Sequence, residues 1–310
     1  MRILVTGGTG MLGSCFDKLK TEHQIITIGR KDADLTDESQ FSKIVKEIKP
    51  DSVIHLAAKV GGVKSNAENV GTFYRENIQI NTSVLNVCLD EKVRKVVSLL
   101  STCVYPDDAS YPLTEDQIHK GPPHHSNFGY AYAKRMLDVQ SRAFRSQFGC
   151  DFVCAVPNNL YGPNDNFHLE DSHVIPAIIR KIYTAKTTNK KPVFWGDGSP
   201  LREFTYSHDI AKVLVFLAEN YSSEKPINIG NVGEYSIKNV VNIISDILDY
   251  KGEALWDSEL PNGQYRKPSC NKNLLSLGWS VENYTSIREG LEMTCNWFLE
   301  NQPNVRGMSK

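Results

Sequence analysis

Arg2-Ile3-Leu4-Val5-Thr6-Gly7-Gly8-Thr9-Gly10-Met11-Leu12-Gly13 is the stretch on which the fold turns. Arg2–Thr6 is a short apolar run that stops at glycine, and Met11–Lys20 reads as a helix. Between them, glycines at 7, 10 and 13 allow a tight turn, the close approach of a pyrophosphate, and close packing of helix on strand. The free N–H groups at a helix start then favour an anion. Alone, this spacing also fits any strand–turn–helix. Here a second strand, Gln24–Ile28, follows, which is the context a dinucleotide loop requires. Gly7, Gly8, Thr9, Gly10, Met11, Leu12 and Gly13 are therefore the expected cofactor loop.

Working outward, apolar strands at Asp51–Ala58, Arg94–Ser101 and Asp151–Pro157 alternate with helices at Phe41–Ile48, Asn77–Glu91 and Phe128–Phe148. Strands apolar throughout, separated by helices, imply a parallel sheet covered on both faces, so the expected fold class is a doubly wound, Rossmann-type α/β fold. Asp107–Asn127, rich in Pro, Asp, Ser and His, reads as an irregular loop. Beyond it the pattern loosens. Helices are expected at Val174–Ala185, Ser207–Asn220, Ser236–Leu248 and Ile287–Leu299, the second and third capped by Ser207 and Ser236. Short strands are expected at Pro192–Trp195, Pro226–Ile229 and Ala254–Trp256. The implied organisation is a cofactor-binding domain over residues 1–165 to which later segments return, a smaller mixed α/β substrate lobe over 166–302, and a frayed tail at 303–310.

The chain has 310 residues, 40% hydrophobic and 23% charged, with net charge −1, as in ordinary globular proteins. No long run of one sign points to nucleic acid or a membrane surface, so neither is an expected partner. Its seven cysteines are scattered, with no Cys-x-x-Cys pair or Cys/His cluster, so no metal is expected and a reducing compartment is the simplest reading. The first residues lead straight into a strand without an apolar leader, giving the cytosol as the expected address.

The second strand of such folds usually ends in an acid that binds the ribose 2′-hydroxyl of NAD. Gly29-Arg30-Lys31 stands there instead, and Asp32 and Asp34 come later. A guanidinium suits a 2′-phosphate, so NADPH/NADP is the expected cofactor, with Asp34-Leu35 along the adenine. Further on, Tyr130 and Lys134 lie one helical turn apart on one face. A phenol with a pKa near 10 needs a partner to act near neutrality, and an ammonium four residues along can supply it. Ser101 ends the fourth strand, on the edge where ligands bind. Tyr-x-x-x-Lys by itself usually marks a solvated helix face; the glycine loop and Ser101 make it specific.

With these motifs the chain resembles the extended short-chain dehydrogenase/reductases over essentially its whole length. Within them it is similar to the GDP-L-fucose synthase family, epimerase–reductases that use NADPH on a GDP-linked 4-keto-6-deoxy sugar. The segments that carry this are His55-Leu56-Ala57-Ala58-Lys59-Val60-Gly61-Gly62, Ser101-Thr102-Cys103-Val104-Tyr105-Pro106, Asn127–Lys134, Pro157–Phe167 and Ser172-His173-Val174-Ile175-Pro176. The resemblance implies a reductase triad of Ser101, Tyr130 and Lys134, and an epimerisation acid–base pair of Cys103 and His173. It further implies cofactor contacts from Leu56, Ala57, Ala58, Pro157, Asn159, Leu160 and His173 beside Tyr130 and Lys134. Trp195, Arg202 and Lys267 would hold the GDP-sugar, with Asn159 near the reacting sugar and Arg180 as a further phosphate contact. A homodimer built on the sheet-flanking helices is also implied. Thr9 replaces a basic residue found in some members, which leaves 2′-phosphate recognition to Arg30 and Lys31.

The chemistry is consistent with this. A 4-keto group acidifies the hydrogens on C3 and C5, and an acid and a base on opposite ring faces can invert both centres. Taken singly, Cys103 also reads as a small buried hydrophobe and His173 as a helix cap. A 4,6-dehydratase would carry an Asp-Glu pair after the strand-four serine, where Thr102-Cys103 stands. A sugar-nucleotide 4-epimerase would leave Cys103 idle, and a non-catalytic NADP(H) sensor has no need of both Tyr130 and Lys134.

Overall fold

The computed structural model describes residues 1–169, 171–260 and 265–308. In chain order the strands are β1 (Arg2–Thr6), β2 (Gln24–Ile28), β3 (Ser52–His55), β4 (Lys95–Leu99), β5 (Asp151–Pro157), β6 (Asn159–Tyr161), β7 (Val193–Trp195), β8 (Leu201–Tyr206), β9 (Ile227–Ile229), β10 (Glu234–Ser236) and β11 (Leu255–Asp257). The α-helices are α1 (Glu38–Ile48), α2 (Val63–Glu68), α3 (Val70–Asp90), α4 (Phe128–Phe148), α5 (Val174–Thr188), α6 (Ser207–Asn220), α7 (Ile237–Ile247), α8 (Lys272–Ser276) and α9 (Ile287–Asn301).

A six-stranded parallel sheet in the order β2-β1-β3-β4-β5-β9 forms the centre. Its strands are buried on both faces because side chains alternate between two helical layers. Ile3, Val5, Ile54 and Val97 meet Ile210 and Leu214 of α6 on one face. Leu4, Val53 and Val96 meet Phe41 of α1, Val84 and Leu85 of α3, and Leu137 of α4 on the other. The chain passes from β1 out to β2, then crosses back to β3 on the far side of β1. That reversal lies between β1 and β3, and ligands bind at the carboxyl ends of the strands beside such a switch point.

A smaller lobe has its own core, in which Ile175, Ile179 and Ile182 of α5 pack with Val240 and Ile244 of α7 and Leu291 and Phe298 of α9. The sheet β10-β8-β6 and the pair β11-β7 frame it. Meanwhile α6 and β9 return to the central sheet.

Several local expectations differ from the structure. Met11–Lys20 is not an α-helix but a six-residue 3₁₀ helix, Gly13–Lys18, because Leu19 is already extended and the chain must reach β2 at Gln24. Helix α3 begins at Val70 rather than Asn77. Its first turn is supported by α4: the bare face of Gly129 lies where a Cβ would sit 2.6 Å from the Val70 carbonyl, and Phe73 meets Tyr130 edge-on. Strands β6, β8 and β10 were not expected from the pattern. Ser236 caps α7 by accepting from the Asn239 amide at 3.1 Å, but Ser207 does not cap α6; its hydroxyl instead accepts from the Cys15 thiol at 3.3 Å. The tail up to Met308 is packed rather than frayed, since Val305 is buried and the Arg306 carbonyl accepts from the Phe167 amide; its last two residues lie outside the described ones.

Candidate active site

The loop after β1 is folded tightly onto its neighbours. Gly7 has φ +76°, and a Cβ there would stand 2.9 Å from the Ala57 amide nitrogen, so only glycine lets the ends of β1 and β3 approach this closely. A Cβ on Gly13 would lie 2.2 Å from the Gly7 carbonyl. The Gly8 amide donates to Ile28 at 2.7 Å, joining the loop to the end of β2. The amides of Thr9, Met11 and Leu12 find no acceptor among the described residues. Free donors on a glycine turn at a sheet's switch point fit a dinucleotide pyrophosphate.

Thr9 packs against Gly29, bringing the glycine loop beside the Arg30 corner. Arg30 and Lys31 are exposed there. Both nearby carboxylates are engaged with backbone: Asp32 accepts from the Gly29 amide at 2.7 Å, and Asp34 accepts from the Thr36 amide at 3.0 Å and its hydroxyl at 2.8 Å. These Thr36 bonds hold the Asp34 carboxyl below the usual range. Leu35 is half-buried against the core.

At the carboxyl end of β4 the chain makes a 3₁₀ turn, Thr102–Val104, started by Ser101, whose hydroxyl accepts from the Cys103 amide at 3.4 Å. Arg135 of α4 clamps this turn by donating to the Val104 carbonyl at 2.6 Å and the Gly121 carbonyl at 2.7 Å. Lys134 is buried and donates to the Leu99 carbonyl at 2.7 Å, with its Nζ 5.9 Å from the Tyr130 ring centre. Ser101, Cys103, Tyr130 and Lys134 thus share one site. Burial pushes the Lys134 ammonium down to about 8. Burial, then the neighbouring Cys103, pushes the Tyr130 phenol up from its usual value. Burial likewise raises the Cys103 thiol, against the Ser101 hydrogen bond and the Lys267 and Lys134 charges.

Lys267 and Arg202 join this neighbourhood. The Lys267 ammonium feels Cys103 and Arg202, and burial pushes its pKa down. Its segment is clipped in place by Glu203 of β8, which accepts from the Ser269 amide at 3.0 Å and hydroxyl at 2.6 Å. Asn159 donates to the Glu203 carbonyl at 2.8 Å, so β6 and its neighbours Pro157 and Leu160 meet the same strand. Arg180, on α5, has Nε and Nη1 buried with no hydrogen-bond partner among the described residues. His173 is the N-cap residue of α5 and is exposed; its side chain makes no cap hydrogen bond among the described residues. Trp195 on β7 is 61% exposed. No hydrogen bond or ion pair among the described residues joins His173, Arg180 or Trp195 to the Tyr130 group.

The profile of the NAD dependent epimerase/dehydratase family matches residues 3–233. The chain belongs to this family. Within the epimerase/dehydratase family it falls among GDP-L-fucose synthases. It is 42% identical to the GDP-L-fucose synthase of Dictyostelium discoideum over 98% of this chain and 97% of that protein. It is also 37% identical to the GDP-L-colitose synthase of Yersinia pseudotuberculosis, over 98% of this chain and all of that one. Among solved structures, a GDP-L-fucose synthetase from Naegleria fowleri bound to NADP superposes with TM-score 0.91 at 39% identity, covering 98% of this chain and 96% of that one.

For this epimerase/dehydratase family member, sequence reasoning missed several buried polar residues around the site. Asp165 is one: its Oδ2 is buried without a hydrogen-bond partner among the described residues, and burial, opposed by the His173 charge, pushes its carboxyl up to about 6. Glu203 is another, hidden in a strand that the pattern did not show. A signal existed for Asn77 and Asn81, which stand at i and i+4 on an apolar helix face, where polar residues imply buried partners.

Proposed function

We propose that the chain converts GDP-4-keto-6-deoxy-D-mannose to GDP-L-fucose with NADPH, by 3,5-epimerisation followed by 4-keto reduction. The observation that carries this is the placing of the Cys103 thiol within one site shared by Ser101, Tyr130 and Lys134 on one side and Lys267 and Arg202 on the other. A 4-epimerase has no use for that thiol.

The free amides of the glycine loop suit the cofactor's pyrophosphate, and exposed Arg30 and Lys31 suit a 2′-phosphate. NADPH, when bound, supplies the reducing electrons. The protein's own groups do the rest. Ser101 Oγ and Tyr130 Oη donate to the sugar O4, polarising the ketone and stabilising the enolate that forms when a ring proton leaves. The Cys103 thiol and the His173 imidazole exchange protons with C3 and C5 from opposite ring faces, which is why the two need not touch. Because burial keeps the Cys103 thiol protonated in the free protein, its proton leaves only once substrate is in place, helped by the Lys267 and Lys134 charges. In the reduction, Tyr130 gives its proton to O4 as negative charge develops on that oxygen. Arg180, Arg202 and Lys267 hold the diphosphate, and Trp195 offers its exposed face to the base.

The protein works as a cytosolic homodimer in this reading. Among the described residues no helix is long and apolar enough to cross a membrane. The outer faces of α3 and α4 form an apolar groove of Val70, Gly71, Tyr74, Phe128, Tyr132 and Met136, which suits a second copy. The test is NADPH absorbance with product identification by NMR, offering the GDP-, UDP- and dTDP-linked 4-keto sugars in turn. Loss of absorbance with the GDP sugar and a GDP-L-fucose product are expected; no loss, or preference for UDP or dTDP, removes the reading.

A further inference from the structure

His55 ends β3 and is fully buried, and none of the reacting groups assigned above is among its hydrogen-bond partners in the described residues. Its Nδ1 lies 2.9 Å from Thr6 Oγ1, and its Nε2 lies 3.2 Å from Asn81 Oδ1. The polarity of these contacts follows from counting donors. Thr6 Oγ1 accepts from the Leu56 amide at 3.2 Å and the Ala57 amide at 3.3 Å. Both lone pairs are then used, and its one proton can go only to His55 Nδ1. Nδ1 is therefore the acceptor, and the ring proton sits on Nε2, donating to Asn81 Oδ1. Asn81 in turn donates through Nδ2 to the Ala133 carbonyl at 3.2 Å. Burial, with the Lys134 charge nearby, lowers the imidazole to about 3, consistent with a ring that stays neutral.

The two ends of this chain of hydrogen bonds are both functional. Thr6 immediately precedes Gly7, and its hydroxyl fixes the Leu56 and Ala57 amides against which Gly7 turns. Ala133 lies in the helical turn between Tyr130 and Lys134. We propose that His55, as the neutral Nε2–H tautomer, is a positioning residue that couples the cofactor loop, through Thr6, to the catalytic turn of α4, through Asn81. One imidazole thus sets both the seat of the cofactor and the placement of the proton donor. This rests on the NADPH-dependent reading of the site.

The test separates the two ends. Asparagine places an oxygen near the position of Nδ1, keeping the Thr6 contact and losing Asn81. Glutamine places an amide nitrogen near Nε2, keeping Asn81 and losing Thr6. NADPH Kd is measured by fluorescence without sugar nucleotide, and kcat is measured with it. A buried hydrogen bond lost on one side is expected to cost about tenfold. His55→Asn is expected to hold NADPH Kd within about twofold and to cut kcat about tenfold. His55→Gln is expected to raise Kd about tenfold and leave kcat within about threefold. If either variant fails to fold, Thr6→Val reports the cofactor end and Asn81→Leu the catalytic end. Equal changes in Kd and kcat from both variants, or none in either, would reduce His55 to core packing and overturn the proposal. The Kd arm needs no substrate, so it stands or falls separately from the substrate assignment.

Discussion

Replacing Gly10 by alanine adds one methyl to the loop at a point where the fold leaves room for it. The nearest atom to the new Cβ is the Gly7 carbonyl at 3.3 Å, so the neighbour need give only a few tenths of an ångström. Stability should stay within about 0.5 kcal/mol, as for most substitutions that meet no tight packing. The methyl nevertheless sits on the loop whose Thr9, Met11 and Leu12 amides find no acceptor among the described residues, where a pyrophosphate must come close. Losing one charge-assisted hydrogen bond there costs about 1.5–3 kcal/mol, or roughly a 10- to 100-fold rise in NADPH Kd. Gly13→Ala is the contrasting case. Its Cβ would stand 2.2 Å from the Gly7 carbonyl and 2.6 Å from Gly8 Cα, so the loop must move and stability should fall by about 1–3 kcal/mol. Thermal melting and fluorescence titration of both variants check this. A Gly10→Ala protein that melts normally yet binds NADPH as tightly as the parent would refute the cofactor seat, and a Gly13→Ala protein with unchanged Tm would refute the packing.

Three further outcomes follow from the site. Lys134 is pushed down from 10.5 to about 8, so its ammonium is lost as pH rises through that value, and the reduction rate should fall above pH 8; Lys134→Arg should move that limb upward. Stability runs the other way, because the cost of burying the charge is present below pH 8 and is relieved between the folded and unfolded values; chemical denaturation against pH reads it. Arg30→Ala should raise the KM for NADPH about tenfold while leaving the KM for NADH unchanged, and an equal loss with both would place the 2′-phosphate elsewhere. Arg180→Met should stabilise the free protein by about 1–3 kcal/mol by removing two buried donors that find no acceptor among the described residues, and should weaken GDP binding in calorimetry; tight GDP binding with unchanged Tm would exclude Arg180 from the phosphate site.

The parallel sheet was legible because its strands, such as Ile3–Val5 and Val53–Ile54, are apolar on both faces, and nothing but a doubly covered sheet buries such runs. Tyr130 and Lys134 were legible for the same kind of reason, since helical spacing alone puts them together. What was hidden depends on contacts between distant segments. The start of α3 at Val70 relies on Gly129, and β8 relies on pairing with β6 and β10, so neither shows in a local pattern. The direction of the Lys134 donor was also hidden, because the Leu99 carbonyl that receives it belongs to another strand. Buried partners such as Glu203 and Asp165 declare themselves only once burial is known.

We propose that the substrate meets two sets of groups, Cys103 and His173 for the ring protons and Tyr130 with Ser101 and Lys134 for the ketone. Deuterium incorporation at C3 and C5 of GDP-4-keto-6-deoxymannose in D₂O, followed by NMR alongside NADPH consumption, tests it most directly. In Tyr130→Phe, NADPH consumption should drop by about 10²- to 10⁴-fold while exchange continues more slowly, Ser101 being left as the donor to O4. In Cys103→Ser, exchange should slow sharply while NADPH still binds. Exchange that is unchanged in Cys103→Ser, or reduction that is unimpaired in Tyr130→Phe, would contradict the account.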